Sequence, residues 1–242
     1  MRGKVCIVTH VTASIGQAGA DALAKAGAKV VVSDASFADA KKREAYAKAH
    51  PRLKVTATLD PELLVEETVA RHKRVDVIVA NASLAPKPAQ IEKTKVKELR
   101  EALEVLAIEP FRLAKAASRH MKQQKSGKII FVTSDAPRYG LANHTVYCTA
   151  QGTANALMGT VAQELAGANV QVNAIAPAAT VAPTYFPKEM MGETTAEKVI
   201  VKKGKGMRKA KAAEAGALVA FLAGEGSDFL IGEVIPFAGG WI

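Results

Sequence analysis

The chain has 242 residues, 49% of them hydrophobic and 23% charged, with a formal net charge of +10. This length and composition suit one large domain, and no stretch approaches the ~18 continuous apolar residues of a membrane span. The positive charge raises nucleic acid as a partner, but aromatic residues make up only 5% of the chain and the lysines are dispersed, which disfavours it. The densest basic cluster, over 202–211, predicts a solvated face near a loop, or a surface that draws anionic ligands toward a pocket.

The cysteine and histidine positions give no pattern typical of a metal site. Cys6 and Cys148 lie far apart, and His10 has no second histidine, cysteine or acid at a ligand spacing. The N-terminus runs into an apolar segment with no signal peptide ahead of it. We therefore expect a cytoplasmic protein with reduced thiols and no metal.

Strand and helix patterns alternate from one end of the chain to the other. The predicted strands are Val5–Thr9, Ala28–Ser33, Lys54–Thr58, Val75–Ala80, Lys128–Thr133, Val170–Ile175 and Glu233–Phe237. The predicted helices are Ile15–Lys25, Ala38–Ala49, Pro61–Arg71, one or two helices within Val96–Lys122, Val146–Leu165 and Lys211–Ala223. The strands are apolar throughout, as in a parallel sheet covered on both faces. We predict a doubly wound, Rossmann-like α/β fold of about seven parallel strands in a single domain over 1–242. Periodicity lapses after residue 177, and a lid is expected over 177–210.

The turn after the first predicted strand lies where this architecture binds phosphates. It runs from Thr9 to Gly16 and resembles the Thr-Gly-x-x-x-Gly-x-Gly turn of short-chain dehydrogenases. His10 and Ser14 replace two glycines, and their side chains would crowd a dinucleotide, which favours a repurposed turn over a working one. Asp34 ends the second strand, where an acid can bind an adenosine ribose or simply close a turn.

Ser134 and Tyr147 resemble the Ser-x12-Tyr pair of the same family. A serine there donates a hydrogen bond to the substrate oxygen, while a tyrosine moves the proton. The family has a basic residue four positions after the tyrosine, and this chain has Gln151. A free tyrosine has a pKa near ~10, and a neighbouring cation lowers such a pKa by roughly 1–3 units. Gln151 therefore predicts a weaker base, unless another cation such as Arg138 substitutes.

Further departures resemble one branch of the family, the halohydrin dehalogenases. Leu106 replaces the usual catalytic asparagine, and the Asn-Ala-Gly after the fourth strand appears as Asn81-Ala82-Ser83. Four stretches look like that branch: Asp34–Ala40, Ile108–Phe111, Lys125–Phe131 and Pro183–Pro187. The resemblance covers essentially the whole chain.

The resemblance implies cofactor-independent conversion of vicinal haloalcohols to epoxides plus halide, and the reverse opening of epoxides by small anions. Ser134 would bind the substrate oxygen, Tyr147 would act as base, and Gln151 completes the catalytic set. The substrate and halide site would comprise Ser14, Leu84, Pro86, Pro177, Ala178, Ala179, Thr180, Tyr185 and Phe186. The resemblance also implies a homotetramer.

Two alternatives remain open. The first is an NAD-dependent short-chain oxidoreductase acting on a small alcohol or ketone, with Thr9, Gly16, Asp34 and Asn81 holding the cofactor. The second is a catalytically impaired subunit that keeps the fold as a partner for an active homologue.

Overall fold

The computed structural model describes residues 1–82, 84–178 and 210–239. Within them, one sheet is built from β1 (Val5–Val8), β2 (Lys29–Val32), β3 (Leu53–Val55), β4 (Val77–Asn81), β5 (Gly127–Val132), β6 (Val170–Pro177) and β7 (Val234–Phe237). The strand order is β3-β2-β1-β4-β5-β6-β7, and every neighbouring pair is parallel. The predicted doubly wound parallel sheet is therefore confirmed.

Helices follow the strands and cover both faces of the sheet. They are α1 (Gly16–Lys25), α2 (Ala40–Ala49), α3 (Pro61–His72), α4 (Val96–Leu103), α5 (Glu109–Gln124), α6 (Ala136–Tyr139), α7 (Thr145–Ala166) and α8 (Ala212–Ala223). Short 3₁₀ helices lie at Ala35–Ala38, Ile91–Lys93 and Glu225–Ser227. None of the described helices is long and apolar enough to cross a membrane.

The core consists of two apolar layers, one on each face of the sheet. In β1, Val8 belongs to the layer that contains Leu23 of α1, while Ile7 belongs to the layer that contains Leu113 of α5 and Met158 of α7. Alternate residues of a strand thus enter different layers, and both layers are apolar. This explains why the strands are apolar at every position rather than at every second one.

The predicted Val96–Lys122 segment is two helices joined by a π-helical turn at Glu104–Ile108. Pro110 lies in the first turn of α5 and has no N–H to donate back along the chain. The backbone N–H of Glu109 instead donates to the carbonyl of Glu104, five residues back. The wider turn keeps Leu106 buried, at 1% exposure, while Ile108 is 42% exposed.

Two elements differ from expectation. Strand β3 covers Leu53–Val55 and ends before the predicted Thr58. The short helix α6, at Ala136–Tyr139, was not predicted, and Pro137 in its first turn is compatible with a helix start.

The strand order reverses at β1, which has β2 on one side and β4 on the other. In such sheets a crevice opens outside the carboxyl ends of the strands at the reversal. Thr9 follows β1, Asn81 ends β4 and Ser134 follows β5, so all three lie at this edge. The fold therefore gathers the predicted site residues at one end of the sheet.

Candidate functional site

A cavity of about 60 Å³ lies where β5 and β6 end, and we call it the hydroxyl cavity. Its walls include six of the predicted residues: Ser14, Pro86, Ser134, Tyr147, Pro177 and Ala178. Leu84 lines a neighbouring cavity of about 200 Å³ that shares Pro86 and Tyr147 with the first. The predicted Ala179, Thr180, Tyr185 and Phe186 lie outside the described residues, as do the stretch 183–187 and most of the 177–210 segment.

Ser134 is positioned by the start of α6. Its Oγ accepts a hydrogen bond from the backbone N–H of Ala136 at 3.2 Å, and the residue is 5% exposed. Because this bond uses a lone pair of the oxygen, the hydroxyl hydrogen can be donated to a second oxygen. Ser134 is thus placed to bind a substrate oxygen.

Tyr147 lies in the first turn of α7 and is held by apolar packing. It is 8% exposed and belongs to a small buried cluster with Ala82, Leu106 and Ala150. The cluster fixes the ring, and the cavity places Tyr147 and Ser134 against the same small volume. The two residues predicted as a catalytic pair are therefore brought together.

Gln151 lies one helical turn after Tyr147 and is almost completely buried, at 1% exposure. Neither its Nε2 nor its Oε1 has a hydrogen-bond partner within the described structure. A buried amide without partners is costly, by about 1–3 kcal/mol. Gln151 is not among the described walls of the hydroxyl cavity.

Arg138, the candidate substitute cation, is committed elsewhere. Its Nη1 donates to Oδ1 of Asp135 at 3.0 Å, and Asp135 is fully buried. The described walls of the hydroxyl cavity do not include Arg138. The guanidinium neutralises a buried carboxylate rather than facing the Ser134 and Tyr147 hydroxyls.

In the first turn, two residues that are not glycine adopt backbone angles that usually require glycine. His10 has φ 44° and Ser14 has φ 47°, both in the left-handed region that favours glycine. The side-chain amide of Asn81 donates to the carbonyls of His10 at 2.8 Å and Ala13 at 2.9 Å, which holds the turn in this shape. A Cβ on Gly16 would lie 2.7 Å from the Asn81 Nδ2, so glycine is required at that one position.

A second cleft, the turn cleft, lies beside the first turn and has a volume of about 130 Å³. His10 and Glu109 both line it, and the His10 Nε2 lies 3.1 Å from the Glu109 Oε2. The pair joins the turn to the start of α5. Like the hydroxyl cavity, the turn cleft is smaller than the ~300–1,000 Å³ of ordinary small-molecule sites.

Asp34 also lines the turn cleft, but its carboxylate is fully engaged by the protein. Oδ2 accepts from the Thr12 amide at 3.0 Å and the Thr12 hydroxyl at 2.7 Å, and Oδ1 accepts from the Ser36 amide at 3.0 Å and the Ser36 hydroxyl at 2.6 Å. Burial works to raise the pKa of Asp34, but these hydrogen bonds outweigh it, so the pKa lies below its usual value. The carboxylate serves as a local cap.

Two features of the first turn bear on whether a dinucleotide binds at this crevice. Side chains stand at positions 10 and 14, where a main chain touching a pyrophosphate needs open space. The acid suited to a ribose, Asp34, already accepts four hydrogen bonds. Within the described ranges, no group of three or more His, Cys, Asp or Glu side chains is arranged for a metal.

Comparison with known proteins identifies the superfamily of this chain. The family model described as enoyl-(acyl carrier protein) reductase matches residues 11–242. The chain belongs to the short-chain dehydrogenase/reductase superfamily. The 3-oxoacyl-(acyl-carrier-protein) reductase of Thermotoga maritima is 30% identical over 248 residues, covering 100% of this chain and 99% of that protein.

Solved structures confirm the resemblance to dehalogenases. A structure described as a dehalogenation enzyme matches with a TM-score of 0.92 and 32% identity, covering 100% of this chain and 99% of that one. A halohydrin dehalogenase bound to ethyl (2S)-oxiran-2-ylacetate matches with a TM-score of 0.92 and 34% identity, covering 98% and 96%. The superfamily thus includes both reductases and dehalogenases among the relatives of this chain.

Sequence reasoning missed five residues on the wall of the hydroxyl cavity, and two of them, Tyr139 and His144, carry titratable side chains. Tyr139 ends the unpredicted helix α6, so its position could not be inferred. His144 is the N-cap residue of α7 and has non-helical backbone angles, so its spacing from Tyr147 did not predict its position.

Proposed function

We propose that the chain is a cofactor-independent lyase of the halohydrin dehalogenase kind, which converts vicinal haloalcohols to epoxides and halide. The observation that carries the proposal is a contrast at the crevice. Ser134 and Tyr147 share one cavity, whereas the turn beside it is filled by His10 and Ser14 and its acid is engaged by Thr12. The paired hydroxyls and the side chains at positions 10 and 14 support a reaction that uses no dinucleotide.

The proposed reaction needs one proton transfer and one displacement. Ser134 donates its hydroxyl hydrogen to the substrate oxygen, and Tyr147 takes the proton from that oxygen. The alkoxide attacks the adjacent carbon, a C–O bond forms, and the carbon–halogen bond breaks with its electron pair leaving on the halide. In reverse, a small anion opens the epoxide and the proton returns to the oxygen.

Ser14, Pro177 and Ala178 form the part of the cavity wall assigned to the leaving halide. Ser14 carries the polar group among them, and it is partly buried. The net charge of +10 also favours the approach of anions to the protein. Small anions are accordingly expected as the nucleophiles of the reverse reaction.

Halide release is the direct test. The purified protein is incubated with a panel of vicinal bromo- and chloro-alcohols without added cofactor, and both halide and epoxide are quantified. Equimolar release of the two products is expected. No release from any substrate of the panel would reject the dehalogenase function.

An oxidoreductase is the second candidate, because the family model and the Thermotoga maritima relative are reductases. It would use Thr9, Gly16, Asp34 and Asn81 to hold NAD. Fluorescence titration with NADH and NADPH separates the candidates. We expect no saturable binding, and saturation at micromolar cofactor would favour the oxidoreductase. If neither signal appears, the impaired partner subunit becomes the better account.

The same proposal includes a homotetramer in the cytoplasm. Ile108 and Phe111 are each 42% exposed at the start of α5, where an apolar face has no cover within the described chain. Light scattering on the purified protein tests the assembly: a mass near four times 25.4 kDa is expected, and a monomer would contradict it.

A further inference from the structure

A groove of about 700 Å³ runs beside β3, the strand at one edge of the described sheet. We call it the edge groove, and it is lined by Val31, Arg43 and residues within 54–57 and 64–72. Its walls therefore come from α2, from β3 and the chain after it, and from α3. It shares no lining residue with the hydroxyl cavity or the turn cleft. Unlike those two, it falls within the ~300–1,000 Å³ of ordinary small-molecule sites.

The walls of the edge groove carry more positive than negative charge. Arg43 of α2, Lys54 of β3 and Arg71 of α3 are basic, and Glu67 is the single acid on the described walls. None of the three basic side chains forms an ion pair within the part of the chain that the structure describes. The Glu67 carboxylate accepts a hydrogen bond from the Thr58 hydroxyl at 2.7 Å. Positive charge from three elements is thus left uncompensated.

Arg43 is held in place without losing its charge. Its Nη1 donates to the carbonyl oxygen of Phe37 at 2.8 Å. This acceptor is neutral, so the contact orients the guanidinium but does not neutralise it. Several N–H groups of the guanidinium remain to bind an anion.

His72, at the end of α3, also lines the edge groove. Its Nε2 is buried and has no hydrogen-bond partner within the described structure. Burial, followed by the positive charges of Lys29, Arg71 and Lys54, lowers the pKa of His72. Like charges that lie close together oppose protonation, so the ring experiences a positive field at this end of the groove. An anion bound there would offset that field.

We propose that the edge groove binds a small anion that carries a diphosphate group, with Arg43, Lys54 and Arg71 as the contacts. Charges from three elements suit a ligand with more than one anionic group, and the guanidinium fork matches two phosphate oxygens. The described walls contain no aromatic side chain on which a base could stack, which favours a small anion over single-stranded nucleic acid. This site is separate from the proposed reaction and goes beyond it.

Isothermal titration calorimetry with pyrophosphate at pH 7 and low ionic strength tests the proposal. The wild type is expected to saturate, and Lys54→Gln/Arg71→Gln should weaken binding by about tenfold, since each exposed charge contributes about two- to fivefold. Both side chains are exposed, so the double variant should fold. No saturation of the wild type in the millimolar range would overturn the proposal.

A matched control removes the same amount of charge elsewhere. Lys25→Gln/Lys211→Gln replaces two exposed lysines at the ends of α1 and α8, which pack in the layer on the other face of the sheet from α3. The control should keep the wild-type affinity. Equal weakening in the two double variants would reduce the effect to net charge and overturn the proposal.

Two further ligands identify what the groove recognises. ADP carries the diphosphate group on a nucleoside, and it should bind with an affinity similar to that of pyrophosphate and weaken equally in Lys54→Gln/Arg71→Gln. Binding of ADP without binding of pyrophosphate would overturn the proposal. So would tight binding of a DNA duplex by a protein that does not bind pyrophosphate.

The titration of His72, followed by NMR, gives a second readout. Sulfate is the probe, because its charge is constant over the range in which a histidine titrates. Relative to chloride at equal ionic strength, sulfate should raise the midpoint of His72 by about half a unit or more in the wild type and not in Lys54→Gln/Arg71→Gln. Sulfate should accordingly bind more tightly as pH falls through that midpoint. Equal midpoints in sulfate and chloride would overturn the proposal.

Discussion

Thr12 donates two hydrogen bonds to one carboxylate oxygen of Asp34, from its backbone amide at 3.0 Å and from its hydroxyl at 2.7 Å. The contact joins the first turn to the end of β2. The two bonds also occupy the Asp34 carboxylate oxygen, so that oxygen is less available to accept a hydrogen bond from a ligand. Thr12 was not singled out by sequence reasoning.

Replacing Thr12 by valine removes the hydroxyl and keeps the shape of the side chain. Thr12→Val is expected to lower the free energy of unfolding by about 1 kcal/mol at pH 7. The folded pKa of Asp34 is depressed, so its stabilisation is present above the unfolded value near ~4 and is lost as pH falls through the folded value. Urea unfolding at pH 7 and pH 3 should therefore show a smaller effect of Thr12→Val in acid. Thr12→Ser, which keeps the hydroxyl, serves as the control.

The hydroxyl pair makes the sharpest prediction about activity. Ser134→Ala removes the donor to the substrate oxygen, and Tyr147→Phe removes the group that takes its proton. Each change should reduce kcat/KM for halide release by roughly 10²–10⁴-fold. Ser118→Ala is the control, because the Ser118 hydroxyl donates to the Lys115 carbonyl on α5. Loss of activity in all three variants would point to damage of the fold.

Gln151 can be changed in two directions. Gln151→Arg introduces a cation one turn from Tyr147 and should raise halide release at pH 7 by about 10- to 100-fold, because a nearby cation lowers the pKa of a phenol. Thermal unfolding of Gln151→Arg shows whether the buried charge is tolerated. An unchanged rate in a folded variant would contradict the role given to this position.

Gln151→Met tests the burial of the amide itself. The side chain keeps its length but removes the two polar atoms that have no partner within the described structure. The free energy of unfolding should rise by about 1 kcal/mol in urea titrations. A decrease in stability would mean that the amide has a partner in solution.

Two glycines predict opposite effects of the same substitution. A Cβ on Gly216 of α8 would lie 2.6 Å from the carbonyl oxygen of Ala18 in α1, and Gly216→Ala should cost roughly 1–3 kcal/mol of stability. A Cβ on Gly159 of α7 meets nothing within 4 Å, and Gly159→Ala should stabilise the protein by about 0.5–1 kcal/mol. Chemical denaturation measures both, and equal effects would contradict the close packing of α1 on α8.

The strands and the outline of the site could be predicted from the sequence because their signals are local. Apolar runs such as the one ending at Val8 mark buried strands, and the strand order of the fold then brings Ser134 and Tyr147 together. The sequence also predicts side chains in the first turn at positions 10 and 14, because His10 and Ser14 stand where the resembling turn has glycines.

The rest could not be predicted because it depends on pairs far apart in the chain. His10 meets Glu109 across 99 positions, and no local pattern announces such a contact. The π-helical turn before α5 changes the register of α5 relative to α4. It is defined by the hydrogen bond from the Glu109 N–H to the Glu104 carbonyl, which has no signature in the hydrophobic pattern. The engagement of Asp34 by Thr12 likewise needs the turn to be folded first.

The path of the first turn is imposed from outside it. Asn81 binds the carbonyls of His10 and Ala13 and the Val11 N–H donates to the Ser33 carbonyl at 3.1 Å, so residues that disfavour a left-handed conformation adopt it nonetheless. These hydrogen bonds involve the main chain of the turn, so they do not depend on the side chains at positions 10 and 14. Variation of positions 10 and 14 therefore changes the groups that this edge of the sheet presents to a ligand, while Asn81 keeps the backbone path of the turn.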